Sequence, residues 1–134
     1  MRKKMKTGIK IISVITMFCI FCACKGQEEI KALTPEEFNN AISNDSLAVI
    51  LDVRQPSEYY EGHLPNAILL NYLDTESFEE GLNNLDKNKN YYIYCRSGRR
   101  SHNAAVMMQK QGFKVYDMKG GILGWNKYNL PTVK

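Results

Sequence analysis

Tyr91-Tyr92-Ile93-Tyr94-Cys95-Arg96-Ser97-Gly98-Arg99-Arg100-Ser101 brings a strand and a helix together at one cysteine. Up to Tyr94 the residues are aromatic or β-branched, as in a short strand. From Ser101 onward a helical pattern takes over. Between them lie one thiol, one glycine and three arginines. A cysteine set between a strand end and a helix start meets free backbone N–H groups and the positive end of the helix dipole. Such surroundings favour the thiolate, which is the nucleophilic form. The guanidinium forks add donors suited to a small oxyanion. A buried packing cysteine would need none of that charge. The stretch therefore reads as an active-site cradle, with Cys95 as nucleophile and Arg96, Ser97, Gly98, Arg99 and Arg100 as substrate-binding groups.

Outward from the cradle, strand-length apolar runs alternate with helical segments. Upstream, Thr34-Pro35-Glu36-Glu37 has the form of a helix start, with Thr34 as N-cap and Glu37 closing a capping box. Ala48 to Val53 is a continuous apolar run broken only by Asp52, as expected of a parallel strand buried on both faces. A short helix over Pro56–Glu61, a turn at Gly62-His63-Leu64-Pro65, a strand over Ala67–Leu70 and a weak helix over Glu76–Leu85 follow. Downstream, Ser101–Gln111 predicts a helix stopped by Gly112, with Met107 and Met108 filling the core. Lys114–Asp117 reads as the last strand, and Gly120-Gly121 as a tight turn into a closing helix around Trp125. The alternation predicts one α/β domain, a central parallel sheet of about five strands with helices on both faces. Asp52 and Arg54 fall at the strand ends where such sheets place their sites. Their expected roles, like that of Ser101, are supporting: Asp52 caps the following turn and Arg54 pairs with Glu58 or Glu61, the alternative being that Asp52 holds the active loop by accepting backbone hydrogen bonds. His63 is expected to brace its turn.

The first residues are of another kind. Arg2, Lys3, Lys4, Lys6 and Lys10 precede the apolar run Ile11–Ala23, and no acidic residue occurs before Glu28. This predicts an export signal over 1–23, too short for a comfortable permanent membrane span. Ala23-Cys24 at its end resembles a bacterial lipoprotein processing site, which makes Cys24 the expected lipidation point and 24–31 a tether before a domain over 32–134. An ordinary cleaved signal peptide is the alternative. The mature chain from Cys24 carries 13 basic and 14 acidic residues, a net −1, so nothing points to nucleic acid as a partner. Beyond Cys24 the chain has a single thiol, Cys95. An unpaired cysteine in an exported protein is better explained by chemistry than by a staple. Without a second cysteine or a close His/Asp/Glu cluster, no metal site is expected.

Four segments together resemble the rhodanese-like sulfurtransferases in their single-domain form. They are Asp52-Val53-Arg54, then Glu58-Tyr59 through Gly62-His63-Leu64-Pro65-Asn66-Ala67, then the Cys95–Ser101 loop, then Gly120-Gly121 with Trp125. Asn66 stands where the family more often has glycine, a position in a turn that Asn tolerates. The resemblance implies a rhodanese-like fold and sulfur transfer through a Cys95 persulfide. A small anionic donor such as thiosulfate would supply the sulfur, and a thiol or cyanide-like acceptor, including a protein thiol, would take it without a cofactor. A lipid anchor would place this chemistry at a membrane of the cell envelope. Phosphatases and arsenate reductases that share the fold resemble Cys-x5-Arg, with the arginine six residues after the cysteine. Here that place is Ser101, and Arg100 falls one residue earlier. A non-catalytic binding module and a thiol-redox partner are the remaining alternatives.

Overall fold

The computed structural model describes residues 26 and 28–134. The leader 1–23 and Cys24 lie outside the described residues. Helix α1 (Pro35–Asn44) follows strand β1 (Lys31–Leu33) and starts as its sequence requires. The Thr34 hydroxyl accepts from the Glu37 amide at 3.2 Å, and the Glu37 carboxylate accepts from the Thr34 amide at 2.8 Å. Strand β2 (Ala48–Asp52), helix α2 (Pro56–Glu61), strand β3 (Ile68–Leu69) and helix α3 (Thr75–Asn83) come next. Strand β4 (Asn90–Tyr94), helix α4 (Arg99–Lys110), strand β5 (Lys114–Met118) and helix α5 (Gly121–Lys127) complete the chain.

The strands form one sheet in the order β1-β5-β4-β2-β3, with every neighbouring pair parallel. Strand β4 is central, which is why its apolar residues are buried on both faces. On one face Leu51, Tyr91 and Ile93 pack under α3 and α4 against Phe78, Leu82, Ala104, Ala105 and Met108. On the other, Ile50, Tyr92 and Tyr94 meet Phe38 of α1 with Ile122 and Trp125 of α5. This is the rhodanese-like arrangement the sequence predicts, helices on both faces included. Trp125 is fully buried, and its Nε1–H donates to the Pro131 carbonyl at 3.0 Å, tying down the last residues. Val133 then pairs with His63 through both backbone groups, at 2.9 and 2.8 Å. His63 also stacks on Tyr59 and places Nδ1 3.0 Å from the Tyr59 carbonyl, the bracing role expected of it.

Two boundaries differ from expectation. The sheet begins at Lys31, inside the stretch read as tether, and Ile30 before it is buried in the core. A three-residue edge strand carries too little alternation to be seen in a sequence. Strand β3 is only Ile68–Leu69, although the Leu70 amide extends the pairing by donating to the Asp52 carbonyl. Asn66 adopts φ +64, the left-handed backbone that Asn accepts in place of glycine.

Candidate active site

Strand β4 carries Cys95 to the edge of the sheet where β2 ends in Asp52. The residue is only 1% exposed, and its Sγ accepts the Gly98 N–H at 3.1 Å. Gly98 takes φ +108 and acts as N-cap of α4. The helix therefore starts at Arg99 and not at Ser101. Arg99 and Arg100 belong to its first turn, and the loop proper is Arg96-Ser97-Gly98. Ser101, fully buried, turns back to donate its hydroxyl to the Gly98 carbonyl at 3.2 Å.

The start of α5 shapes the loop from the other side. The free amides of Ile122 and Leu123 donate to the carbonyls of Cys95 and Arg96, at 2.9 and 3.2 Å. In a trans peptide the N–H opposes the C=O, so the Arg96 and Ser97 amides point away from α5. The Gly120-Gly121 turn permits this approach. Both residues have positive φ, and a Cβ on Gly121 would stand 2.4 Å from the Arg96 carbonyl oxygen.

The three arginines are not equivalent. Arg96 and Arg99 are exposed, as is Ser97. Arg100 is held by Glu58 of α2 through two parallel bonds of 2.7 and 2.8 Å. These bonds, more than any other influence, hold the Glu58 carboxyl down to about 2, and Glu58 in turn raises the Arg100 pKa. Arg100, expected on the substrate, is thus engaged by Glu58, and the expected pairing of Arg54 with Glu58 or Glu61 does not form. Arg54 instead turns inward to Asp52, with Nε at 2.9 Å and Nη2 at 2.6 Å, and Nη2 also donates to the Gly62 carbonyl at 2.7 Å. Asp52 is fully buried and Arg54 is 5% exposed, so neither is a surface charge. Tyr94 joins them, donating to Asp52 at 2.6 Å while accepting the Leu64 amide at 3.1 Å. Burial, followed by the Asp52 charge, pushes the Tyr94 hydroxyl far above its ordinary pKa and keeps it a donor. Asp52 does cap the turn through the Arg54 amide at 3.0 Å.

Glu58, Tyr94 and Asp117 were not singled out as site residues in the sequence. Glu58 had one faint signal, a box with Gln55 in which Gln is a poor capping residue. Asp117 lies on β5 opposite Ile93, 5% exposed, and its Oδ1 has no hydrogen-bond partner among the described residues. Burial pushes its carboxyl up to about 6. A carboxyl raised in the folded state favours folding while protonated, so stability falls as pH climbs from about 4 to 6 and stays low above. Asp117→Asn is expected to gain about 1–2 kcal/mol at pH 7.5 and nothing at pH 4, since the amide has no charge to desolvate. Urea unfolding at the two pH values checks this, and an equal change at both would show that the carboxyl is not the cause.

A cleft of about 230 Å³ adjoins the site, lined by Arg54, Glu58, Ile122 and Asn126 among others. A wider groove of about 580 Å³ runs between α1 and β3, away from Cys95. Its carboxylate, Asp45, is engaged by Asn90, Tyr92 and the Leu47 amide, leaving no obvious chemistry there.

Residues 34–128 match the family described as the rhodanese-like domain. YtwF of Bacillus subtilis, whose name proposes a sulfurtransferase, is 34% identical over 103 residues, covering 77% of this chain and 97% of that protein. The tRNA uridine(34) hydroxylase of Pelagibacter ubique is 36% identical over 96 residues, which cover 71% of this chain but 32% of that larger protein. Among solved structures, the rhodanese-related protein of Thermoplasma volcanium superposes with a TM-score of 0.67 at 25% identity, covering 77% of this chain and 97% of that one. With the sheet order, the Cys95 loop and the family match in agreement, the chain belongs to the rhodanese-like family.

Proposed function

We propose that the protein is a sulfurtransferase that moves a sulfane sulfur from an anionic donor to a thiophilic acceptor through a Cys95 persulfide. The observation that carries this reading is the buried Cys95 Sγ under the Gly98 amide, in a loop whose carbonyls are tied to α5. The Gly98 amide facing the thiol suits an anionic sulfur atom, and it needs no reorganisation as charge arrives. With thiosulfate as donor, the Cys95 thiolate attacks the outer sulfur, the donor's S–S bond breaks, and sulfite leaves with the electron pair. Cyanide or a thiolate then attacks the outer sulfur of the persulfide and regenerates the Cys95 thiolate. Arg96 in the loop and Arg99 at the start of α4, both exposed, draw in the donor's sulfonate. The relative named as a sulfurtransferase supports the general class. The choice of thiosulfate rests on the resemblance and on this geometry.

Intact-mass analysis tests the reading. Cys95 is expected to gain about 32 Da, one sulfur atom, on exposure to thiosulfate and to lose it to cyanide. Cys95→Ser is expected to show neither change while keeping its fold. A wild-type protein that never gains the sulfur overturns the proposal.

The leader adds a location to this chemistry. Because Ala23-Cys24 ends a short apolar run behind five cations, we propose that Cys24 is lipidated and holds the domain at a membrane of the cell envelope. Each buried CH₂ of the lipid contributes about 0.8 kcal/mol, so several chains make a durable anchor. Membrane fractionation of wild type and Cys24→Ser distinguishes the cases. Wild-type protein recovered soluble and without lipid mass would exclude the anchor.

A further inference from the structure

Glu58 sits at the meeting point of two helix starts. Its Oε2 accepts the Gln55 amide at 3.0 Å, closing the first turn of α2. Both carboxylate oxygens also take the Arg100 guanidinium from the first turn of α4, at 2.7 and 2.8 Å. Arg100 is near enough to Cys95 and Asp52 for their charges to help hold its own pKa up, after the larger effect of Glu58. So a guanidinium five residues on from the thiol, in the first turn of the helix that follows it, has its fork already closed on a carboxylate. The pair is neutral as a unit. The cations left free at the loop, Arg96 and Arg99, are the exposed ones.

We propose that Glu58 is a specificity-determining residue: by withholding Arg100 it keeps the Cys95 loop from binding free tetrahedral oxyanions. A phosphate or sulfate ion seated in the cradle needs a fork aimed at its equatorial oxygens, and two parallel N–H···O bonds are the strongest such contact. Arg100 can make that contact only by leaving Glu58. Sulfur transfer makes no such demand, because only one sulfur atom of the donor enters the loop while its sulfonate stays outside, near Arg96 and Arg99. An abundant oxyanion is thereby kept out without loss of the donor. The proposal rests on the sulfur-transfer reading of the loop and adds to it the class of ligand that the loop rejects.

The test uses the full chain and inorganic phosphate as probe, followed by titration calorimetry. Glu58→Gln keeps the shape and the acceptor for the Gln55 amide, so α2 retains its cap. Freed Arg100 is expected to tighten phosphate binding roughly ten-fold, the effect of about one charge-assisted hydrogen bond. The gain is expected to disappear in the Glu58→Gln/Arg100→Ala double variant. Phosphate binding no tighter in Glu58→Gln, or a gain that survives without Arg100, overturns the proposal. Arg100→Ala alone supplies a check that needs no change at Glu58. With Arg100 already withheld, it is expected to leave thiosulfate KM within about two-fold of wild type, whereas Arg96→Ala raises it roughly ten-fold or more. An Arg100→Ala effect as large as that of Arg96→Ala would show the guanidinium on the donor and sink the idea. Phosphate titration reads the cradle itself and the mass gain on Cys95 reads the chemistry, so the two proposals can fail separately.

Discussion

Asp52→Ala is expected to destabilise the domain by about 3–5 kcal/mol, the usual result of removing one partner from a buried ion pair. The carboxylate is fully buried at the end of β2 and the guanidinium of Arg54 is 5% exposed beside it. Alanine would leave that charge in the interior with only the Gly62 carbonyl, and would also orphan the Tyr94 hydroxyl, now bonded to Asp52 at 2.6 Å. Each loss alone is costly because neither donor can reach water without moving the turn at Gly62-His63 or the strand that carries Cys95. Asp52→Asn keeps the shape and one acceptor, so its penalty is expected to be smaller. The pair is shielded from solvent, and added salt should change the difference little. Urea unfolding of the three proteins measures it. A loss below about 1 kcal/mol for Asp52→Ala would mean that Arg54 relaxes to the surface, since exposed pairs contribute no more than that. Domains of this kind have only about 5–15 kcal/mol in hand, so the alanine variant should lose a large share of its stability and melt well below the native protein.

The same triad shows what the sequence could and could not disclose. Asp52 and Arg54 were visible as residues at a strand end, and Asp52 does cap the turn. Their pairing with each other was hidden, because a single strand-end arginine can turn to an acid on α2 or back to one on its own strand with equal ease. Only the depth at which β2 ends decides between them. Helix starts were legible wherever the cap is local, as at Thr34 and Glu37, and the alternation of runs was enough for the sheet and its two covered faces. Arg99 and Arg100 hide the true start of α4 for a physical reason. The helical pattern is legible only from Ser101, and cations are poor residues for a helix N-terminus, so nothing local marks Arg99 and Arg100 as helical. The structure places them in its first turn, where one is neutralised by Glu58 and the other stays exposed. A local rule broken in this way often marks a site, where propensity gives way to chemistry. The partnership of Glu58 with Arg100 joins positions 42 residues apart, which no local pattern encodes.

The other large effect is expected at Gly121, where alanine should reduce persulfide formation on Cys95 by about 100-fold or more. The estimate follows from the sensitivity of reacting geometry, in which a displacement of about 1 Å is enough for such a loss. An added Cβ would lie 2.4 Å from the Arg96 oxygen and 2.5 Å from the Cys95 oxygen. Both atoms are backbone and cannot swing aside as a side chain would. Relief must come from moving the loop or from moving α5. Either movement lengthens the bonds by which Ile122 and Leu123 hold those two carbonyls, so the loop shifts and the Gly98 amide loses its 3.1 Å contact with the sulfur. Positive φ at Gly121 adds strain of about 1 kcal/mol, an effect that must be separated from the collision. Gly112→Ala provides the comparison. Gly112 also has positive φ, +90, but nothing stands within 4 Å of its missing Cβ, and it follows α4 at the end remote from Cys95. Its substitution should lower stability by a similar 1 kcal/mol or so and leave persulfide formation unchanged. Rates of sulfur loading by mass spectrometry, measured well below each variant's melting temperature, make the comparison. If the two alanine variants load at the same rate, the contact between Gly121 and the loop does not set the site, and the cradle is held by β4 and α4 alone.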